Sequence, residues 1–406
     1  MNQSTFGPML SKLCKWWYYF LQIPLYGLSR WVPPRRRLWV FGAWQGERYA
    51  DNSRYLFEYV VRHHPEIEAV WFSANRHIVD ELRQQGRTAV RINSLRALLL
   101  ALRAEVAVVT HSLRTDIQPL IHPRKTCTVQ LWHGIPLKKI GYDDTKFTYP
   151  VQQSYRQRLK TRIIELLFPF WREQYGIIAT TSQNLVPIFA SAFRHPERRV
   201  RVTGYPRNDA LFHPEAPSPV PTGERAVIYM PTFRGGMGTE SDLFTPYGFS
   251  IADAEAVLGR HKAHLFLRLH PVNRPPLEIQ QAIARSTRIH FFNEGDIYSR
   301  LAYFDVLITD FSSVYFDFLL LNRPIIFAPF DLEAYLQRDR ELYFDYDEVT
   351  PGPKVFDWKA LLAVLESTLA GQDPYREARA AVLQRFHEYQ DDHSSERVVR
   401  EILRLL

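Results

Sequence analysis

The 406-residue chain is longer than one ordinary hydrophobic core supports, and its 46% hydrophobic and 23% charged residues exclude a disordered protein. Its net charge of +8 favours an acidic partner: a nucleic acid, an anionic membrane surface or a phosphorylated substrate. Cys14 and Cys127 are the only cysteines and form no CxxC pair, which argues against a disulfide framework or a structural zinc site and fits a reducing compartment.

The chain begins with an aromatic stretch, "CKWWYYFLQIPLYGLSRWVPPRRR" (residues 14–37), that ends in Arg35, Arg36 and Arg37. Its apolar part, Trp16 to Leu28, is broken by Gln22 and Pro24 and falls short of the ~20 residues a spanning helix needs. Residues 1–37 therefore read as an amphipathic segment lying in the headgroup layer of an anionic membrane, or as a helix docked on the protein's own surface.

From residue 38 short apolar runs alternate with amphipathic stretches: "LWVFGAW", Asn52 to His63, "IEAVWFS", Asn75 to Gln85, "TAVRI", Ser94 to Arg103 and "EVAVVT". "TCTVQLWH", a basic helix from Tyr155 to Trp171, "YGIIATT" and "RVRVTG" complete a domain spanning 38–212. Four prolines in residues 213–224 leave no room for a helix or an interior strand and mark a linker. The same grammar restarts over 225–406 with "RAVIYMPTF", a helix near Ile251, "HLFLRLHP", "RIHFFN" and a helix from Asp296. It continues through "DVLITD", a helix from Ser312 and "PIIFAPF" to last helices near residues 384–405. Strand and helix in turn predict two α/β domains with parallel sheets and a cleft between them.

Ligands of open parallel sheets bind beyond the carboxyl ends of the strands, and the polar motifs fall at such ends. In "VQLWHGIPLKK" (residues 129–139) Val129 to Trp132 reads as strand and His133 as its last residue, pointing into the cleft. Gly134 permits close approach and Pro136 stiffens the exit. Neutral His133 could take the proton of an attacking hydroxyl, and Lys138 and Lys139 would hold an anionic acceptor. In "DVLITDFSSVYFDF", Ser312 or Ser313 caps a helix whose start makes a phosphate seat, while Asp310 and Asp317 suit a sugar hydroxyl or an orienting role. "FLRLHP" brings Arg268 and His270 to a strand end, where either cation could neutralise a leaving phosphate. Thr232 and Arg234 in "YMPTFRGG" and Arg207 in "TGYPRND" repeat the design. There is no GxxxxGK[ST] loop, GxSxG elbow or HExxH helix, and no acidic pair suited to a metal beside a nucleotide.

Seven ordered blocks over roughly residues 38–360 resemble the CDP-glycerol glycerophosphotransferase family, the primases and polymerases of teichoic acids and related capsules. They are "GERYADNSRYLFEY", "LWHGIPLKKIGYD", "TGYPRNDAL", "YMPTFRG", "LRLHP", "DVLITDFSSVYFDFLLLNRPIIF" and "FDLEAYLQRDRELYFDYDEVTPGPKV". The resemblance implies two Rossmann-like domains in a glycosyltransferase-B (GT-B) arrangement, the first binding acceptor and the second a CDP-activated donor. It implies transfer of a polyol phosphate to a hydroxyl of a membrane-linked, oligosaccharide or phosphopolymer acceptor, with release of CMP. His133 would be the general base and His270 would support the diphosphate being broken. Ser312 and Ser313 would seat the donor phosphates, with Arg207, Arg234 and Asp310 completing the pocket. Thr232, Arg268 and Asp317 belong to the same donor side, and Gly134, Lys138 and Lys139 to the acceptor side. No cofactor, metal or nucleic acid is expected, and the enzyme would sit peripherally on the cytoplasmic face of the membrane. The competing readings are a GT-B glycosyltransferase using a UDP- or GDP-sugar, and a basic membrane-bound scaffold without catalysis.

Overall fold

The computed structural model describes residues 20, 23–118, 120–146, 159, 162–164, 166–168, 170, 172–214, 217–234, 242–269, 273, 275–293, 295–333, 335 and 341–406. The first lobe holds a parallel sheet in the order β3-β2-β1-β4-β5-β6-β7. Its strands are β1 (Leu38–Phe41), β2 (Glu68–Ser73), β3 (Ala89–Arg91), β4 (Val106–Val109), β5 (Cys127–Gln130), β6 (Ile177–Thr180) and β7 (Val200–Val202). The second lobe holds a parallel sheet in the order β10-β9-β8-β11-β12. Its strands are β8 (Arg225–Met230), β9 (Ala263–Leu267), β10 (Ile289–Phe291), β11 (Val306–Thr309) and β12 (Ile325–Phe327).

Both faces of each sheet are apolar because each strand buries both of its sides. In β1, Leu38 and Val40 join one cluster and Trp39 and Phe41 another. In β11, Leu307 faces one core and Val306 and Ile308 the other. Helices cover these faces and begin where short polar side chains satisfy their first N–H groups. Ser94 accepts from Ala97 N, Ser250 from Asp253 N and Asp357 from Ala360 N. Strand order reverses direction between β1 and β4 in one lobe and between β8 and β11 in the other. Such switch points open a crevice at the strand ends.

The chain departs from the sequence-based expectations in several places. β5 ends at Gln130, so His133 follows the strand rather than closing it. In place of a helix from Asp296 there are two 3-10 turns, Ile297–Ser299 and Leu301–Tyr303. The helix expected from Ser312 is a short one, Val314–Phe318, running into a 3-10 turn at Leu319–Leu321. The last helix, Ser394–Leu403, was expected with the second lobe but packs on the first. Val398, Val399 and Ile402 join the core of Trp39 and Phe57, and Asp209 of the first lobe accepts from the N–H groups of Ser394 and Ser395. Among the described residues no helix is long and apolar enough to cross a membrane.

Candidate active site between the lobes

A cleft of about 1200 Å³ lies between the two lobes, where the loops after β1, β5, β8 and β11 converge. The first-lobe wall is built around His133. Beyond β5 the backbone turns sharply at Trp132, whose φ of 56° is left-handed. Asn52 holds this turn by donating to Trp132 O at 2.9 Å, and Gln130 Oε1 accepts from Trp132 N at 2.9 Å. Trp44 and Asp51, which also line the cleft, have φ of 48° and 66°. A bulky residue in this region carries on the order of 1–3 kcal/mol of strain, a hallmark of functional loops.

His133 Nδ1 lies 3.1 Å from the carbonyl oxygen of Thr110, an acceptor only, so the proton sits on Nδ1 and Nε2 carries the lone pair. The ring is stacked on His111 at 4.4 Å and flanked by Trp132 and Trp44. Burial, and secondarily the neighbouring His111, push the His133 pKa down to about 4. The imidazole is therefore neutral at physiological pH, as a proton acceptor must be.

Facing it are Ser312 and Ser313. Ser313 occupies the cap position of its short helix, yet its side chain makes no capping bond, contrary to the expected role. Among the described residues neither serine hydroxyl has a hydrogen-bond partner. Gly134 lets the two walls meet: its φ is 139°, and a Cβ there would lie 2.8 Å from Ser313 Oγ and 3.0 Å from Arg207 Nη2. Thr232 also lines the cleft, and its buried hydroxyl has no hydrogen-bond partner among the described residues. Arg268 completes this wall, held by the carbonyls of Gly295 (2.9 Å) and Phe292 (3.3 Å).

Other expected donor ligands have different employment. Arg207 is buried and donates to Asp51 of its own lobe at 2.8 Å and to Asp317 of the other lobe at 2.5 Å. It also donates to His133 O at 3.0 Å. Asp317 in turn accepts from Tyr298 OH at 2.7 Å. Arg207 and Asp317 thus form a latch behind the base. Arg234 and Asp310 do not line the cleft. Arg234 is buried between Asp310 (2.6 Å) and Asp331 (2.7 Å) and donates to Thr232 O. Asp310 spends its other oxygen on the N–H groups of Thr232 and Phe311, so this pair shapes the loops that carry Thr232 and Ser312. Lys139, expected at the acceptor, forms an ion pair with Glu341 across the lobes at 2.5 Å and lies outside the cleft. Lys138 lines the cleft and donates to Tyr335 OH. His270 lies outside the described residues, as does most of the basic helix expected over Tyr155 to Trp171.

The structure adds residues that sequence reasoning passed over. Asp51 accepts from Trp44 Nε1 as well as from Arg207, and Arg54 pairs with Asp296 across the lobes at 3.5 Å. Arg48 stacks on Trp44 with its guanidinium carbon 5.1 Å from the ring centroid. Four of these five, Trp44, Arg48, Asp51 and Arg54, fall in or beside the quoted block "GERYADNSRYLFEY". The available signal was charged residues crowded at the carboxyl end of an apolar strand.

The profile of the family described as CDP-Glycerol:Poly(glycerophosphate) glycerophosphotransferase matches residues 25–404. A teichoic acid glycerol-phosphate transferase of Staphylococcus aureus (strain NCTC 8325 / PS 47) is 27% identical over 384 residues, covering 91% of this chain and 94% of that protein. A teichoic acid poly(glycerol phosphate) polymerase of Bacillus subtilis (strain 168) is 25% identical over 407 residues, and this chain spans 50% of its length. In fold, a solved structure of the wall teichoic acid polymerase TagF superposes with a TM-score of 0.74 at 23% identity, covering 95% of this chain and 93% of that one. The chain belongs to the CDP-glycerol:poly(glycerophosphate) glycerophosphotransferase family and is an enzyme of polyol-phosphate transfer.

Proposed function

We propose that this enzyme moves glycerol phosphate, or a related polyol phosphate, from a CDP-activated donor to a hydroxyl of a lipid-linked or phosphopolymer acceptor in teichoic-acid-like or capsule synthesis. The observation that carries this reading is neutral His133, its Nε2 without a protein partner among the described residues, in one cleft with the unengaged hydroxyls of Ser312 and Ser313. Nε2 takes the proton of the acceptor hydroxyl as its oxygen attacks the polyol-bearing phosphorus. The bond from that phosphorus to the bridging oxygen breaks and CMP leaves. Phosphoryl transfer leaves little covalent work for the protein, which acts by positioning and by meeting charge. The serine hydroxyls and Thr232 seat the donor phosphates, and His270 of the "LRLHP" block assists the leaving group.

The enzyme works at the cytoplasmic face of a membrane as a peripheral protein. In support, Leu25, Leu28 and Trp31 are exposed beside the arginines at 35–37, and Trp31 is 72% exposed. Incubation with CDP-[14C]glycerol and an acceptor tests the reaction: label transfer with CMP release is expected, and activity only with UDP- or GDP-sugars rejects it.

A further inference from the structure

Resting on the transfer reaction above, we propose that Arg48, seated on the Trp44 ring, and Arg268 of the opposite lobe form a binding subsite for the terminal phosphodiester of the incoming acceptor. The loop that carries Arg48 is a built element. Trp44, Gln45 and Gly46 have φ of 48°, 57° and 80°, three left-handed residues in succession. This shape is held from three sides: Gln45 N donates to Asp116 Oδ1 at 2.8 Å, while Ala74 N at 2.9 Å and Ser73 Oγ at 2.5 Å donate to Gly46 O. A side chain at Gly46 would overlap Ile92 and Ala74. Core packing does not explain the strain, because Gln45, Glu47 and Arg48 are exposed. What the loop achieves is to fix Trp44, with Nε1 on Asp51, against His111 at 4.8 Å and near His133 at 6.1 Å, and to lay Arg48 over the same indole.

Arg48 and Arg268 line the same cleft from opposite lobes. Among the described residues Arg48 forms no ion pair, and Arg268 donates its hydrogen bonds to main-chain carbonyls, with the nearby Asp296 carboxylate shared with Arg54. Burial lowers the Arg268 pKa; Asp296 opposes that fall and the charge of Arg48 adds to it, so the two guanidinium groups that line the cleft from opposite lobes repel each other. An anion between them relieves that repulsion, and the two non-bridging oxygens of a phosphodiester offer one to each fork. The stack that carries Arg48 runs directly onto the base. With Arg48 5.1 Å from the Trp44 ring and that ring 6.1 Å from the His133 ring, a phosphate held there stands beside the base, as the last phosphodiester of a growing chain stands beside its terminal hydroxyl. The donor diphosphate belongs instead at Ser312 and Ser313.

Calorimetric titration with glycerophosphoglycerol, in the absence of any CDP-polyol, tests the subsite in wild type, Arg48→Ala and Arg48→Lys, with circular dichroism as the check on folding. Arg48→Ala is expected to weaken binding about tenfold or more, and Arg48→Lys to recover part of it. In turnover, the ratio of kcat/KM for a phosphodiester-ended acceptor over a neutral polyol acceptor is expected to fall by a similar factor. Equal affinity of wild type and Arg48→Ala for the probe overturns the proposal, as does no wild-type binding at all. A rise in donor KM with unchanged probe affinity also overturns it, assigning Arg48 to the donor diphosphate. Intact, Arg48-dependent probe binding in a protein that transfers nothing from any CDP-polyol would sink the reaction and leave the subsite standing.

Discussion

The protonation state of His133 gives the sharpest prediction. Burial and the stacked His111 bring its pKa from the ordinary 6.5 down to about 4, a shift of roughly 2.5 units, or about 3 kcal/mol against the imidazolium at ~1.36 kcal/mol per unit. With a pKa of about 4 roughly 99% of the base is neutral at pH 6, whereas an unperturbed histidine would be only about a quarter neutral. The pH dependence of kcat/KM reports the free enzyme. Followed by CMP release, it should stay level within twofold from pH 8 to pH 5 and fall with a midpoint near 4. The kcat limb should lie at higher pH, because bound phosphates favour the imidazolium. His111→Ala removes a neighbour that disfavours the charged ring and should move the acidic limb toward neutrality. Stability follows the same sign. Above about pH 6.5 the ring is neutral in folded and unfolded chains alike, and as pH falls toward 4 the unfolded state binds the proton first. His133 therefore destabilises the fold by up to about 3 kcal/mol at the acid end. A kcat/KM limb centred near 6.5 that is indifferent to His111→Ala would refute this reasoning.

Other outcomes follow from the placement of charge. Arg207→Ala leaves Asp51 and Asp317 buried without their shared cation and should cost roughly 3–5 kcal/mol in denaturant unfolding; a rise in donor KM with unchanged stability would contradict this. Lys139→Ala removes only a partly exposed pair with Glu341 and should change stability by less than about 1 kcal/mol, with acceptor KM within twofold; a large KM effect would restore Lys139 to the acceptor site. Deleting residues 1–30 should reduce co-sedimentation with anionic vesicles while sparing transfer to a soluble acceptor, and unchanged sedimentation would reject the membrane contact.

The strands were the most legible part of the sequence, because runs such as "AVIYM" and "VLITD" bury both sides and are bounded by polar residues at the cleft end. His133, Gly134, Thr232 and the two serines line the cleft because strand ends meet there, whatever the surrounding detail. Pairings were not legible. Arg207 finds Asp51 and Asp317 at separations of 156 and 110 positions, and one arginine in a loop gives no sign of whether it faces a substrate or two carboxylates. The same holds for Arg234, whose partners Asp310 and Asp331 lie in other loops. Asp296 misled for a local reason: it caps by accepting from Tyr298 N, as at a helix start, but the turn that follows tightens to 3-10 geometry. The return of Ser394–Leu403 to the first lobe is decided by Asp209 and by an apolar stripe that could have covered either sheet.

The central claim is that His133 is the base of a CDP-polyol transferase, and one comparison tests it most directly. Purified wild type and His133→Ala are given CDP-[14C]glycerol, CDP-ribitol, UDP-glucose and GDP-mannose with an oligo(glycerol phosphate) acceptor, and label transfer and nucleotide release are measured together. The account predicts CMP release matched by transfer from a CDP-polyol, about 100-fold or more slower in His133→Ala with the fold intact. Equal rates in the two proteins, or transfer from a UDP- or GDP-sugar alone, would contradict it.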